Sequence, residues 1–98
     1  MRYMVIETYR AGPGPVYERA AAQGRLLPPG LTFIDSWVDA DRLDRCFQLM
    51  ETADRATFEP WIAAWADLVE FEIVPVVDSA VAAARSGTAF GGRGEAGG

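Results

Sequence analysis

The chain has 98 residues, of which half are hydrophobic and 23% are charged, with a formal net charge of −5. This length is enough for one compact domain and not for two. Nine basic residues are scattered among fourteen acidic ones, which disfavours binding to nucleic acid or to an anionic membrane surface. The chain has no histidine, which excludes Ser-His and Cys-His nucleophile systems, histidine-rich zinc sites and a histidine-ligated haem.

The single cysteine and the N-terminal residues indicate the cellular compartment of the protein. Cys46 is the only cysteine, so an intrachain disulfide is impossible and the chain fits a reducing cytoplasm. Without a neighbouring base, Cys46 is interpreted as a small core or sheet-face residue and not as a nucleophile. The N-terminus already has the pattern of a strand and not of a signal peptide, and no apolar run approaches the roughly 20 residues of a membrane span. We therefore expect a cytoplasmic protein.

The first half of the chain predicts a strand, a helix and a hairpin. Residues 1–9 are largely apolar on both alternating faces, which indicates a central strand covered on two sides. Helical spacing starts at Pro15, and Gly24 is a suitable stop. Residues 31–52 consist of two apolar runs joined by a charged turn, which predicts a hairpin at the centre of the chain.

The second half predicts a helix, a strand and a tail. Asp54 is a good N-cap, and Pro60 should kink the helix that follows or separate its first turn. Residues 69–77 alternate as a strand, in which Pro75 fits an edge position. A short helix at 78–85 follows, and the glycine-rich residues from Ser86 onward are expected to be disordered. The predicted domain spans 1–80, with the helix end and tail at 81–98.

The order of these elements predicts an α+β fold of the ferredoxin-like split β-α-β type. Its sheet would be antiparallel and four-stranded, with both helices on one face and the other face open to a partner or a ligand. The residues assigned to the helix-covered face are Met4, Ile6, Ile34, Phe47, Leu49, Phe71 and Ile73. The residues assigned to the open face are Tyr3, Val5, Glu7, Asp35, Trp37, Cys46, Gln48, Met50 and Glu72. A parity error of one residue in any strand would exchange its faces.

Several blocks of the sequence match, in order, a known group of proteins. The blocks are YMVIE at 3–7, LPPGL at 27–31, DSWVD at 35–39, CFQLME at 46–51 and WIAAWADLVEFEIVPV at 61–76. They resemble a bacterial family of short proteins of unassigned function that is placed with the dimeric α+β barrels, a superfamily of cofactor-free monooxygenases, lactone isomerases and stress-response domains. The resemblance implies a homodimer in which two four-stranded sheets meet face to face. It supplies no catalytic residue, and Pro60 and the glycine-rich tail depart from the family pattern.

Two carboxylates are the candidate catalytic groups. Glu7 and Asp35 would lie on the open face among apolar side chains, where burial raises the pKa of a carboxyl and lets it transfer protons near neutral pH. The alternative is that each carboxylate pairs with an arginine or a backbone amide across the dimer interface.

The candidate ligand-binding residues come from the same predicted face. Gln48 would orient a substrate carbonyl, or else satisfy its cross-strand neighbours. Trp37 would stack on a planar ligand, or else anchor a dimer. Tyr3 and Met50 complete the predicted pocket wall, whereas Trp61 and Trp65 are interpreted as core residues of the second helix. No metal or cofactor is predicted, because the charged turn lacks the spacing and the glycine of a calcium loop.

Two functions remain open at this point. The first is a homodimeric barrel that binds or transforms a small hydrophobic or planar metabolite by proton transfer without metal. The alternative is a non-catalytic dimeric accessory or binding module, which the absence of histidine and of a catalytic signature favours.

Overall fold

A computed structural model describes residues 1–87, which form four strands, three α-helices and one 3-10 turn. The strands are β1 (Arg2–Tyr9), β2 (Thr32–Val38), β3 (Arg45–Glu51) and β4 (Val69–Val76). The helices are α1 (Pro13–Gln23), α2 (Phe58–Trp65) and α3 (Ser79–Ser86), and the 3-10 turn at Arg55–Thr57 precedes α2. The α+β class and the four-stranded antiparallel sheet are therefore confirmed. The tail predicted to be disordered lies, from residue 88 onward, outside the described residues.

The strands form one antiparallel sheet in the order β2-β3-β1-β4. In its centre Val5 lies opposite Gln48 on one side and opposite Ile73 on the other. The order leaves β4 at an edge, which confirms the edge position of Pro75 and explains how the sheet tolerates a residue without an N–H group. No helix within residues 1–87 has both the length and the apolar character needed to cross a bilayer.

Helix α1 begins two residues earlier than predicted, at Pro13. Both Pro13 and Pro15 fall in its first turn, where a missing N–H costs no hydrogen bond. Gly12 has a φ of 79°, a left-handed conformation that lets the chain turn from β1 into the helix. At the other end the N–H of Gly24 donates to the carbonyl of Ala20 at 2.8 Å, so the predicted stop at Gly24 is correct.

The start of the second helix explains the unusual position of Pro60. The side chain of Asp54 accepts a hydrogen bond from the N–H of Ala56 at 2.9 Å and so caps the 3-10 turn. Because α2 proper begins at Phe58, Pro60 lies within its first turn and removes no intrahelical hydrogen bond. The separate first turn is thus confirmed, and the expected loss of a hydrogen bond is not found.

The hydrophobic core lies between the sheet and helices α1 and α2. Trp61 and Trp65 are buried in it, which confirms their predicted role. The other buried apolar residues of the core are Tyr3, Val5, Tyr9, Val16, Leu31, Cys46, Met50, Phe58 and Val69. Edge-to-face contact between Tyr3 and Phe58, with ring centroids 5.1 Å apart, joins the start of β1 to the start of α2.

The predicted faces of β1 and β3 are wrong by one residue. Tyr3, Val5, Glu7, Cys46, Gln48 and Met50 face the helices, and Met4, Ile6, Phe47 and Leu49 are half-buried on the opposite, open face. Phe71 and Ile73 pack against the core, and Asp35, Trp37 and Glu72 lie on the open face, as predicted. Ile34, assigned to the helix side, is 38% exposed at a register shift between Phe33 and Asp35. Since both faces of β1 and β3 are largely apolar, alternation alone does not select the helix side.

Candidate functional site

A pocket of about 410 Å³ lies between the helix-covered face of the sheet and helices α1 and α2. Its walls are mostly apolar and include four aromatic side chains, those of Tyr9, Tyr17, Trp61 and Trp65. Its polar and sulfur-bearing members are Glu7, Arg25, Ser36, Cys46 and Gln48. An apolar pocket with a few converging polar groups is the usual form of a small-molecule site.

Glu7 is the buried carboxyl of this pocket, with 5% of its surface exposed. On the central strand β1 it lies opposite Cys46 and Phe71 of the flanking strands. Its Oε2 accepts a hydrogen bond from Nε2 of Gln48. Burial raises the pKa of Glu7 to about 7, and the hydrogen bond from Gln48 and the charge of Arg25 partly oppose this shift. Both protonation states of the carboxyl are therefore accessible near neutral pH.

A chain of hydrogen bonds connects Glu7 to the surface. Oε1 of Gln48 accepts a hydrogen bond from Nη1 of Arg25 at 3.0 Å, while its Nε2 donates to Glu7. The guanidinium carbon of Arg25 lies 3.7 Å from the ring centroid of Phe33, which is a cation–π contact. Both ends of the Gln48 amide are thus occupied by protein groups, and its orientation is fixed by them.

The two tryptophans of α2 hold the backbone at Arg25. The indole N–H groups of Trp61 and Trp65 both donate to the carbonyl oxygen of Arg25, each at 3.0 Å. The next residue, Leu26, has a φ of 60°, which is unusual for a residue other than glycine. The segment after α1 is therefore fixed by α2, which places the Arg25 side chain beside the pocket.

The phenol and the thiol beside Glu7 stay neutral at ordinary pH. Burial, with a smaller contribution from the charge of Glu7, raises the pKa of Cys46 to about 11. Burial is also the largest cause that raises the pKa of Tyr9 far above its ordinary value. Both groups can donate hydrogen bonds, but the neutral thiol is a weak nucleophile. The interpretation of Cys46 as a buried residue of a sheet face agrees with its position.

The pocket brings together only two of the six predicted site residues, Glu7 and Gln48. Tyr3 and Met50 face the same side of the sheet but are buried in the core and do not line the pocket. Asp35 and Trp37 are exposed on the opposite face. The sheet separates them from Glu7, so within one protomer these residues cannot share a single site.

The sequence did not predict Arg25, Tyr9 or Tyr17 as members of this site. The sequence pattern could have predicted Tyr9, because it follows Glu7 at the strand period of two and so shares its face. No sequence pattern predicts Arg25, because its position depends on the hydrogen bonds from the distant residues Trp61 and Trp65. Within residues 1–87 no group of three or more cysteine, aspartate or glutamate side chains is placed to hold a metal ion.

Comparison with known proteins places the chain in a family. Neither the curated proteins nor the solved structures gave a significant match. The profile of the DUF3303 family matches residues 1–90, which is most of the chain and includes every element that forms the pocket. The chain therefore belongs to the DUF3303 family, whose members share a domain of unknown function.

Proposed function

We propose that this protein binds a small planar or hydrophobic metabolite in the pocket between α1 and the sheet and transfers a proton to or from it without metal, with Glu7 as the acid or base. The observation that carries the proposal is the buried carboxyl of Glu7 in an otherwise apolar pocket. Its pKa of about 7, raised by burial, leaves both protonation states available at neutral pH, as proton transfer requires.

The two oxygens of Glu7 have different surroundings. Oε2 accepts the hydrogen bond from Gln48, whereas Oε1 has no hydrogen-bond partner among the described residues and is not sealed away from the pocket. Oε1 is therefore the atom that would exchange a proton with a bound ligand. Gln48, with both amide ends occupied, acts as a positioning residue for Glu7 and not as a direct substrate contact. The neutral donors Tyr9, Ser36 and Cys46 also line the pocket, where they would stabilise negative charge on a ligand oxygen.

Ligand binding is tested by a thermal-shift screen of planar aromatic metabolites, with a pair of variants on α1. Ala20 lines the pocket and its neighbour Ala21 is exposed. Ala20→Leu projects a larger side chain into the pocket and should reduce the stabilisation by a hit, because ligands raise the melting temperature only through the folded state that they bind. Ala21→Leu carries the same added volume outside the pocket and should keep the hit. A silent screen, or hits that survive Ala20→Leu undiminished, would count against the proposal.

Assembly belongs to the same proposal: we place the fold in the ferredoxin-like class and infer a homodimer through the open face of the sheet. The central rows of this face carry Met4, Ile6, Phe47, Leu49 and Val74, which are only half-buried in one protomer. Trp37 beside them is 51% exposed. A continuous apolar sheet face on a chain of this size gains stability when it is covered. A second copy is the partner we infer, because it offers an equally apolar face of the same sheet.

Charge substitution on the open face tests the dimer. Phe47→Arg places two buried charges at the proposed interface and should convert a dimer to monomers in sedimentation velocity. Ala21→Arg adds the same charge on the exposed side of α1 and should leave the dimer intact. If the unmodified protein sediments as a monomer at micromolar concentration, the inferred dimer is wrong.

The non-catalytic accessory module is the second candidate, and a specific observation favours it. The open face offers a large apolar surface for assembly, whereas catalysis rests on a single carboxyl. A protein that dimerises but gives no hit in the ligand screen would establish this alternative over the first.

A further inference from the structure

The pocket contains an arginine that the proposed proton transfer does not use directly. Among the side chains that line it, only Arg25 and Glu7 carry formal charge. The guanidinium of Arg25 donates one hydrogen bond to Gln48 and forms no salt bridge within residues 1–87. Arg10, Arg19 and Arg42, in contrast, each pair with a carboxylate.

The placement of Arg25 leaves its donor edge available. One face of the guanidinium is stacked on the ring of Phe33, 3.7 Å from the centroid, so its N–H groups point outward within the plane of the group. One N–H reaches Gln48 at 3.0 Å, and a guanidinium has five. This rigid fork matches the two oxygens of a carboxylate.

The electrostatic balance of the pocket favours an anion, although the whole chain is acidic. Glu7 is the only other charged group of the lining, and burial raises its pKa to about 7, so that its neutral form is accessible at neutral pH. Tyr9 and Cys46, which also line the pocket, carry no charge there, because burial raises the pKa of each. The pocket therefore presents one positive charge that is at most partly compensated inside it.

The size and walls of the pocket indicate the body of the ligand. A volume of about 410 Å³ is near the lower end of the roughly 300–1,000 Å³ that small-molecule pockets span, which suits a ligand of one or two rings. The aromatic walls formed by Tyr9, Tyr17, Trp61 and Trp65 favour a planar ring system.

We propose that the pocket takes a flat aromatic acid of one or two rings as its carboxylate monoanion, with the carboxylate on the guanidinium of Arg25 and the ring body between the aromatic walls, beside Glu7. This proposal names the ligand class of the proposed function and rests on it. Arg25 is then the residue that sets specificity, and Glu7 faces the ring system rather than the charged group.

Isothermal titration calorimetry with 1-naphthoate and its neutral analogue 1-naphthamide tests the ligand class. The unmodified protein should bind the carboxylate more tightly than the amide. Arg25→Gln should weaken binding of the carboxylate by about tenfold or more, since a charge-assisted bidentate contact is lost. Its affinity for the amide should change by less than about twofold, because the amide never makes that contact. Arg25→Lys, which keeps the charge but loses the fork, should be intermediate.

The Arg25 variants should still fold, because Trp61 and Trp65 hold residue 25 through its backbone carbonyl and not through its side chain. Arg42→Gln is the matched control, since it removes the same charge from the exposed turn, where Arg42 pairs with Asp44. If the amide binds as tightly as the carboxylate, or if Arg25→Gln binds both equally well, the anionic ligand class is wrong while the pocket remains a ligand site. If neither compound binds, the ligand class falls, and a silent metabolite screen would then remove the proposed function as well.

Discussion

Glu7→Gln is expected to raise the free energy of unfolding at pH 8 by roughly 3 kcal/mol. Burial raises the pKa of Glu7 from an ordinary 4.5 to about 7 in the folded protein, and each pKa unit corresponds to about 1.4 kcal/mol. Between these two values the folded state binds a proton that the unfolded state has released, so the stability of the protein falls as the pH rises from 4.5 to 7 and is constant above. Glutamine keeps the shape of the side chain and its carbonyl acceptor for Gln48 but has no charge to bury.

Urea unfolding at pH 5, 6, 7 and 8 measures this effect. The unmodified protein should lose stability across the series, while the Glu7→Gln variant should lose much less, so that the two differ little near pH 5 and most at pH 8. Asp39 and Asp67 do not interfere, because their hydrogen bonds lower the pKa of each and so move their titration below this range. Glu18→Gln, on the exposed side of α1, is the control and should run parallel to the unmodified protein. Parallel curves for Glu7→Gln as well would mean that the carboxyl is not buried as described.

The elements of the fold were largely predictable because their local signals are strong. The polar turn between β2 and β3, the cap at Asp54 and the stop at Gly24 each act within a few residues, so the sequence alone locates them. Pro75 could be assigned to an edge because a central strand needs the N–H that proline lacks. The cap at Asp54 predicts where the helical segment begins, but not that a 3-10 turn comes first. The structure shows that α2 starts only at Phe58, which places Pro60 in its first turn.

The orientation of the sheet was not predictable in the same way. In β1 the alternation separates Met4 and Ile6 from Tyr3 and Val5, and both pairs are apolar enough to be core. Assigning the aliphatic pair to the helix side was reasonable by hydrophobicity and wrong in the structure. The polar residue Glu7 belongs to the covered face because Gln48 and Arg25 supply its hydrogen-bond network there. Such compensation comes from residues 18 and more positions away, so no local pattern reveals it.

The candidate site was predictable only for residues that lie on paired strands of the sheet. Glu7 and Gln48 were correctly predicted to share one face of the sheet, because they lie on neighbouring strands, although that face is the helix-covered one. The predicted site also includes Asp35 and Trp37, because the faces predicted for β1 are reversed relative to those of β2. The register shift between Phe33 and Asp35 is a separate departure from simple alternation, since it places Phe33 on the helix side and Asp35 on the open face.

Truncation of adjacent residues on β3 tests the corrected faces. Met50 has no exposed surface and lies in the core beneath the helices, so Met50→Ala should lower the free energy of unfolding by about 2–5 kcal/mol at every protein concentration. Leu49 is half-buried on the open face, so Leu49→Ala should cost less in the isolated protomer and should instead weaken the proposed dimer by at least about tenfold. The loss of stability caused by Leu49→Ala would therefore depend on protein concentration, because dimerisation stabilises the folded chain by mass action.

Chemical unfolding at two protein concentrations a hundredfold apart, with sedimentation of the folded samples, separates the two effects. A large loss for Met50→Ala that is independent of concentration, beside a concentration-dependent loss for Leu49→Ala, is the pattern that the geometry requires. The reverse pattern would restore the face assignment made from the sequence and would place Glu7 and Gln48 at the dimer interface. An equal loss for both, without change in sedimentation, would keep the corrected core but remove the apolar open face as an assembly surface. The two neighbours on one strand therefore report separately on the pocket side of the sheet and on the side inferred to meet a second copy.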